Sequence, residues 1–307
     1  MSLFGKKSPD KTVLILDIEN GSVGSALAKL SPGQAPRLFG ESRTQVPVFD
    51  TRSALQLARA VEHAASESLL QASETAARLR NHASTAGPVS QVVVFLAAPW
   101  GVPNLSVGRP DFSQVLTDVL APRIAALFGD VPVAQHAHMS AAVHGLRALY
   151  PDHPQSLLLS INGEVSELLL LEDDRAVAHT TAPVGLHTVL RTLKSHAGLS
   201  EHEARSALKL GSSSEALEAA AAHFAGEFKE AARDILPEQG SPAVFVLAHE
   251  PAAEWFARSL AHRSLADLFP QGGIVRTLRG AHAAPYISGA SDIHLALNAL
   301  YASAAHA

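Results

Sequence analysis

Short apolar runs alternate along this chain with longer stretches of helical periodicity. Val13 to Asp17 is a compact apolar run closed by an acid. Val23 to Leu30 and Pro36 to Val46 read as two more strands, separated by the turn Ser31-Pro32-Gly33-Gln34. Three strands before any helix form a meander, not a βαβ opening. Thr51 to His82 then carries Leu55, Ala58, Val61, Ala65, Leu69 and Ala72 at helical spacing, a stripe that reads as core packing. Val89 to Leu96 is a buried-strand run ending at Ala98-Pro99. Phe112 to Phe128 reads as helix, with Pro122 expected to kink or restart it. Ser140 to Tyr150 is a helix stopped by Pro151.

The pattern then repeats. Leu157 to Ile161 breaks at Asn162-Gly163, and Leu168 to Leu171 breaks at Glu172-Asp173-Asp174. Ala176 to Thr181 leads into Pro183 and Gly185. Asn-Gly is a strong hairpin signal, because both residues tolerate the positive φ of a tight turn. A second three-strand meander followed by a helix, Leu186 to His196, implies a duplication of fold without a repetition of letters. Ser200 and Glu203 fit a capping box that opens a helix from Glu201 to Leu210. A long Ala-rich helix, Ser214 to Leu236, precedes the strand Ala243 to Leu247 and the helices Glu250 to His262 and Asp292 to Ala304. Tyr150-Pro151-Asp152-His153-Pro154 marks the boundary between domains 1–150 and 151–307, with the last helix expected to return to the first.

Composition narrows the function classes. The 307 residues are 47% hydrophobic, enough for a sizeable core. Net charge is −5 and no basic block exceeds Lys6-Lys7, which argues against nucleic acid as a partner. The absence of cysteine excludes disulfides, thiolate metal sites and Cys nucleophiles. No run reaches the length of a membrane span, so a cytoplasmic location is expected. The 16 histidines show neither HExxH nor two-His-carboxylate spacing and read as surface or core residues; His136 and His138 would share a face if they lay on a strand. No GxSxG elbow supports a Ser hydrolase.

Several segments, taken in order, resemble the actin-like ATPases, and more narrowly their FtsA/PilM branch. They are the strand, turn and strand of Val13 to Leu30, and the interior strand Val92 to Pro99. Ser160-Ile161-Asn162-Gly163-Glu164-Val165-Ser166-Glu167 follows, then Asp173-Asp174-Arg175 and Pro183-Val184-Gly185. His202 to Gly211, Val244 to Ala253 and the leader MSLFGKK continue the likeness. The resemblance implies an α/β, duplicated ribonuclease H-like fold of two domains with mixed sheets. It also implies an inter-domain cleft in which two glycine-bearing turns cradle ATP phosphates.

Carried over residue by residue, that cleft takes Asp17, Asn20, Gly21 and Ser22 from the first turn. Asn162, Gly163, Glu164 and Ser166 come from the second, and His249 and Glu250 stand at the adenosine loop. Asp17 is the only metal candidate, and only with Mg-ATP bound. The chemistry is degraded. Ser160 replaces an acid, Glu164 a glycine, Gly24 a basic residue, and Ala248 to Pro251 has no glycine. Two carboxylates without a basic clamp repel a triphosphate by about 1 kcal/mol or more per close pair. The expectation is a pseudo-ATPase scaffold without a cofactor. It would bind the N-terminal cytoplasmic peptide of an inner-membrane assembly protein and sit at that membrane through the partner. An active ATPase and a self-associating filament protein are the rivals.

Overall fold

The computed structural model describes residues 10–50, 53–80, 86–101, 111–173, 175–211, 214–236, 242–262, 265–266, 268 and 274–305. The leader MSLFGKK lies outside them. The first half runs β1 (Lys11–Ile18), β2 (Ser22–Leu30), β3 (Arg37–Gln45), α1 (Ala54–Arg80), β4 (Val89–Leu96), α2 (Asp111–Phe128), β5 (Val133–Ala137) and α3 (His138–Leu149). The second runs β6 (Gln155–Ile161), β7 (Ser166–Glu172), β8 (Arg175–Ala182), α4 (Leu186–Ala197), α5 (Glu201–Leu210), α6 (Glu215–Arg233), β9 (Ala243–Ala248), α7 (Ala253–Ser259), β10 (Val275–Thr277), α8 (Gly280–Ala283) and α9 (Ile293–Ala305).

The strands form two mixed five-stranded sheets, β3-β2-β1-β4-β5 and β10-β9-β6-β7-β8. In each, a hairpin meander supplies three antiparallel strands, and parallel strands extend the sheet from the first of them. Read from its other edge, the second sheet repeats the strand order of the first. The duplication expected from the two meanders is therefore one of topology.

Both sheets are covered on both faces, which is why their inner strands read as continuous apolar runs. Side chains alternate across a strand. Leu14, Leu16 and Ile18 pack under α1 and α2, together with Val61, Leu69, Leu120 and Ile124. Leu157 and Leu159 pack with Val189, Phe224 and Phe256 on the far side of the second sheet. The two inner faces share one cluster, in which Val13, Ile15, Leu158 and Phe245 meet α3 and α9. Helix α9 packs against α3 and the first sheet. Gly145 permits its approach, since a Cβ there would lie 2.1 Å from Leu297 Cδ2. Ser200 and Glu203 form the expected capping box at α5.

Four local expectations change. Helix α2 continues through Pro122. The ring stands on the exposed face while Leu120 and Ile124 anchor the helix, so packing outweighs the lost hydrogen bond. Strands β5 and β10 carry weak apolar patterns and are recruited only by parallel pairing to β4 and β9. Leu55 is 64% exposed at the start of α1, outside the buried stripe. His136 lies on β5 but His138 opens α3, so the two share no strand face.

Candidate functional site

The end of β1 turns through Glu19-Asn20-Gly21 into β2. Register places Asp17 opposite Gly24, and Gly24 opposite Arg43. With no side chain at Gly24, Arg43 crosses the middle strand; a Cβ there would stand 2.6 Å from its Nη2. Arg43 donates from Nη2 to Asp17 Oδ2 at 2.8 Å, from Nη1 to Ser22 Oγ at 2.9 Å, and from Nε to Asp292 Oδ2 at 2.7 Å. Asp17 Oδ1 faces His138 Nδ1 at 3.1 Å and accepts from Asn298 Nδ2 at 3.1 Å. Burial, with Glu19 nearby, favours protonating Asp17, but His138 and Arg43 outweigh both and hold its carboxyl below the usual range. His138 is correspondingly raised: burial opposes its charge, and Asp17 more than compensates. The basic group that the sequence lacks at Gly24 is thus supplied from β3, and it is spent on Asp17.

The second turn, closed by Asn162 N donating to Val165 O at 3.1 Å, meets the first directly. A Cβ on Gly163 would lie 2.5 Å from Gly21 Cα, and one on Gly21 would lie 2.7 Å from Gly163 Cα. Only glycines allow two backbones this close. Glu164 N donates to Asn20 Oδ1 at 2.6 Å, and Asn20 Nδ2 donates to Ala98 O at 2.7 Å. Ala98 N in turn donates to Glu167 Oε2 at 3.0 Å, so Asn20 and Glu167, from opposite halves of the chain, grip the backbone of one residue on both sides. The first amides of α4 also serve the turn: Leu186 N donates to Asn162 O at 2.8 Å and His187 N to Gly163 O at 2.7 Å. A helix N-terminus that could bind an anion is satisfied internally.

Glu164 is not a free carboxylate. Arg191 donates to it from Nη1 and Nη2 at 2.8 and 2.6 Å, and His187 Nδ1 lies at 3.3 Å. Burial would raise its carboxyl, but these partners hold it at about 2. Ser166 Oγ donates to Val184 O at 2.6 Å, fixing β7 to the segment before α4. Ser160 Oγ is buried and has no hydrogen-bond partner among the described residues.

The two adenosine-loop candidates separate. His249 Nε2 reaches back to Glu19 Oε2 at 2.8 Å and Ser22 Oγ at 3.2 Å. Glu250 is exposed, 3.8 Å from Arg279 Nε. The His249 ring stacks on His294 at 4.0 Å, and His294 lies 5.1 Å from His138. His294 is fully buried, and its Nδ1 stands 3.0 Å from Glu19 Oε1. Burial favours a protonated Glu19, but His249 and His294 outweigh it and keep the carboxyl well below its usual range. Three histidines, His138, His249 and His294, therefore form one cluster, a grouping that their reading as separate surface, core or loop residues did not foresee. Sequence reasoning missed His138, His294, Asp292, Asn298, Arg43, Glu19 and Arg191. One signal was present: acids on either side of Ile18, in a strand apolar enough to be buried, demand charged partners.

No protein-family profile matches the chain, and no curated protein sequence matches it. Solved structures do match. A chain of a PilM-PilN type IV pilus biogenesis complex aligns over 95% of this chain and 98% of its own, with a TM-score of 0.62 at 14% identity. Ethanolamine utilization protein EutJ from Carboxydothermus hydrogenoformans aligns over 96% of this chain and 91% of its own, with a TM-score of 0.56 at 11% identity. The chain has the actin-like ATPase fold. The turns that the resemblance assigns to phosphate touch one another through Gly21 and Gly163. No helix among the described residues is long and apolar enough to cross a membrane.

Proposed function

We propose that this chain is an actin-like scaffold that neither binds nor hydrolyses ATP and works by holding a partner protein. The contact between Gly21 and Gly163 carries the reading: it leaves no gap between the two turns for a phosphate chain. The surrounding groups agree. Asp17 is fully engaged, Glu164 N already has an acceptor, and His249 extends into the cleft toward Glu19. These residues do not fit Mg-ATP in this arrangement. The near end-to-end match to a chain of a PilM-PilN complex supports a partner-binding role; the partner class that the sequence resemblance implies is a short cytoplasmic peptide of an inner-membrane assembly protein. A groove of about 600 Å³ between α1 and α2, lined by Ser66, Leu70, Arg123 and Leu127, offers a site in the first half. Leu70 is 51% exposed there.

Two titrations test this. Calorimetry with Mg-ATP is expected to give no saturable heat; a dissociation constant in the low micromolar range or tighter would return the chain to the ATPases. The N-terminal cytoplasmic segment of a single-span protein encoded beside this gene is expected to bind as a peptide, and Leu70→Glu to abolish that binding. Failure of the peptide to bind would remove the scaffold reading.

A further inference from the structure

The buried cluster around Glu19 has unmet demands. Arg43 serves three carboxylates, with Asp17 at 2.8 Å, Glu19 at 3.7 Å and Asp292 at 2.7 Å. Three carboxylates therefore face one guanidinium and the His138 ring beside Asp17, an excess of negative charge in the interior that is unfavourable unless cationic charge completes the set. Glu19 Oε1 and His294 Nδ1 are both buried and only 3.0 Å apart, yet neither has a well-aligned hydrogen-bond partner. Polar atoms that close but not aimed at each other have the spacing of neighbouring ligands on one ion. Metal–ligand bonds of about 2.0–2.2 Å place adjacent ligand atoms roughly 3.0–3.5 Å apart, from octahedral to tetrahedral angles. The other oxygen of Glu19 lies 2.8 Å from His249 Nε2.

We propose that Glu19, His249 and His294 bind a divalent transition-metal ion of the zinc class. Their ligand atoms all lie within 4.8 Å of one another. Two imidazoles and a carboxylate suit zinc and its neighbours, whereas magnesium and calcium select oxygen ligands. A second set, Asp17, His138 and His294, falls within the same 4.8 Å limit but is weaker. All three of its members are buried, and Asp17 is committed to Arg43, Asn298 and His138. The favoured set has a route in, because the His249 side chain is 16% exposed while those of Glu19 and His294 are closed to solvent. The His249 and His294 rings now stack at 4.0 Å with 26° between their planes. Binding therefore turns the His249 ring edge-on to the ion and releases Ser22. The ion ties the end of β1, the loop after β9 and the start of α9, joining parts of both halves. The site does not depend on the partner-binding reading, and its test involves neither nucleotide nor peptide.

The full chain, stripped with a chelator, is titrated with Zn²⁺ alone and then with Co²⁺ as a spectroscopic reporter. One tight equivalent is expected, with visible Co²⁺ absorption of a nitrogen- and oxygen-ligated site, a raised thermal midpoint and no competition from Mg²⁺. His249→Gln, at the partly exposed position, is expected to fold normally and lose affinity at least tenfold, on the order of a lost ligand or its support. His138→Gln is expected to bind as the parent does. No stoichiometric binding by the parent overturns the proposal, as does binding unchanged in His249→Gln. If His138→Gln abolishes binding while His249→Gln keeps it, the ion belongs to the other set and these ligands are wrong.

Discussion

Arg43 decides the character of the cleft. Its side chain is 11% exposed and answers three carboxylates, two of them with no exposed surface. Removing one partner from such a network strands the others, a loss of roughly 3–5 kcal/mol. Arg43→Met keeps the bulk and removes the charge, so it is expected to lower unfolding free energy by that amount in denaturant titration at neutral pH. A loss under about 1 kcal/mol would mean that the acids are satisfied by other means. Gly24 explains why the arginine was hidden in the sequence. A glycine in a strand signals that something else approaches closely, but Arg43 emerges as that neighbour only once β3 is paired beside β2. Asp17 and the turn glycines were legible; what engages them was not.

Among the elements, α4 and the second turn form a unit. Glu164, Arg191 and His187 tie the turn to the helix, and Arg191 Nη1 also donates to Phe49 O at 3.3 Å, reaching the segment after β3. Glu164 has its carboxyl depressed from an ordinary 4.5 to about 2. A depressed acid stabilises the fold above its unfolded value and loses that contribution as pH falls through the folded value. Glu164→Gln is therefore expected to be less stable than the parent from neutral pH down to about 4.5. The gap should close between there and about pH 2. Thermal melts of both proteins across that range check it; a gap that stays constant would show that the carboxylate charge is irrelevant. The elements themselves were largely legible. Apolar period and turn chemistry located the two meanders and the capped helix α5, because those signals lie within a few residues of each other. Strands β5 and β10 escaped, since a short edge strand is fixed by its neighbour and not by its own pattern.

In the whole molecule, α9 sits where the two halves meet. Leu295, Leu297 and Ala299 are fully buried, and the cluster they join spans both inner sheet faces. Its three large buried apolar side chains, Ile293, Leu295 and Leu297, contribute about 1.5–3 kcal/mol each, so together they are comparable with the lower part of the total stability of an ordinary domain, about 5–15 kcal/mol. A chain lacking residues 293–307 is expected to lose cooperative unfolding and expose apolar surface to a fluorescent dye; a sharp melt like the parent's would show the halves to be independent of α9. By itself the sequence determined the strand and helix periods, the fold-level duplication and the degraded letters at both turns. Neighbours in the chain set these through local sterics and alternation. The tertiary structure alone decided that Gly21 meets Gly163, that Arg43 pairs with an acid 249 residues away, and that Glu19 meets His249 across 230. Buried charge takes whichever partner the packing of sheets and helices brings within reach, and no local pattern records that choice.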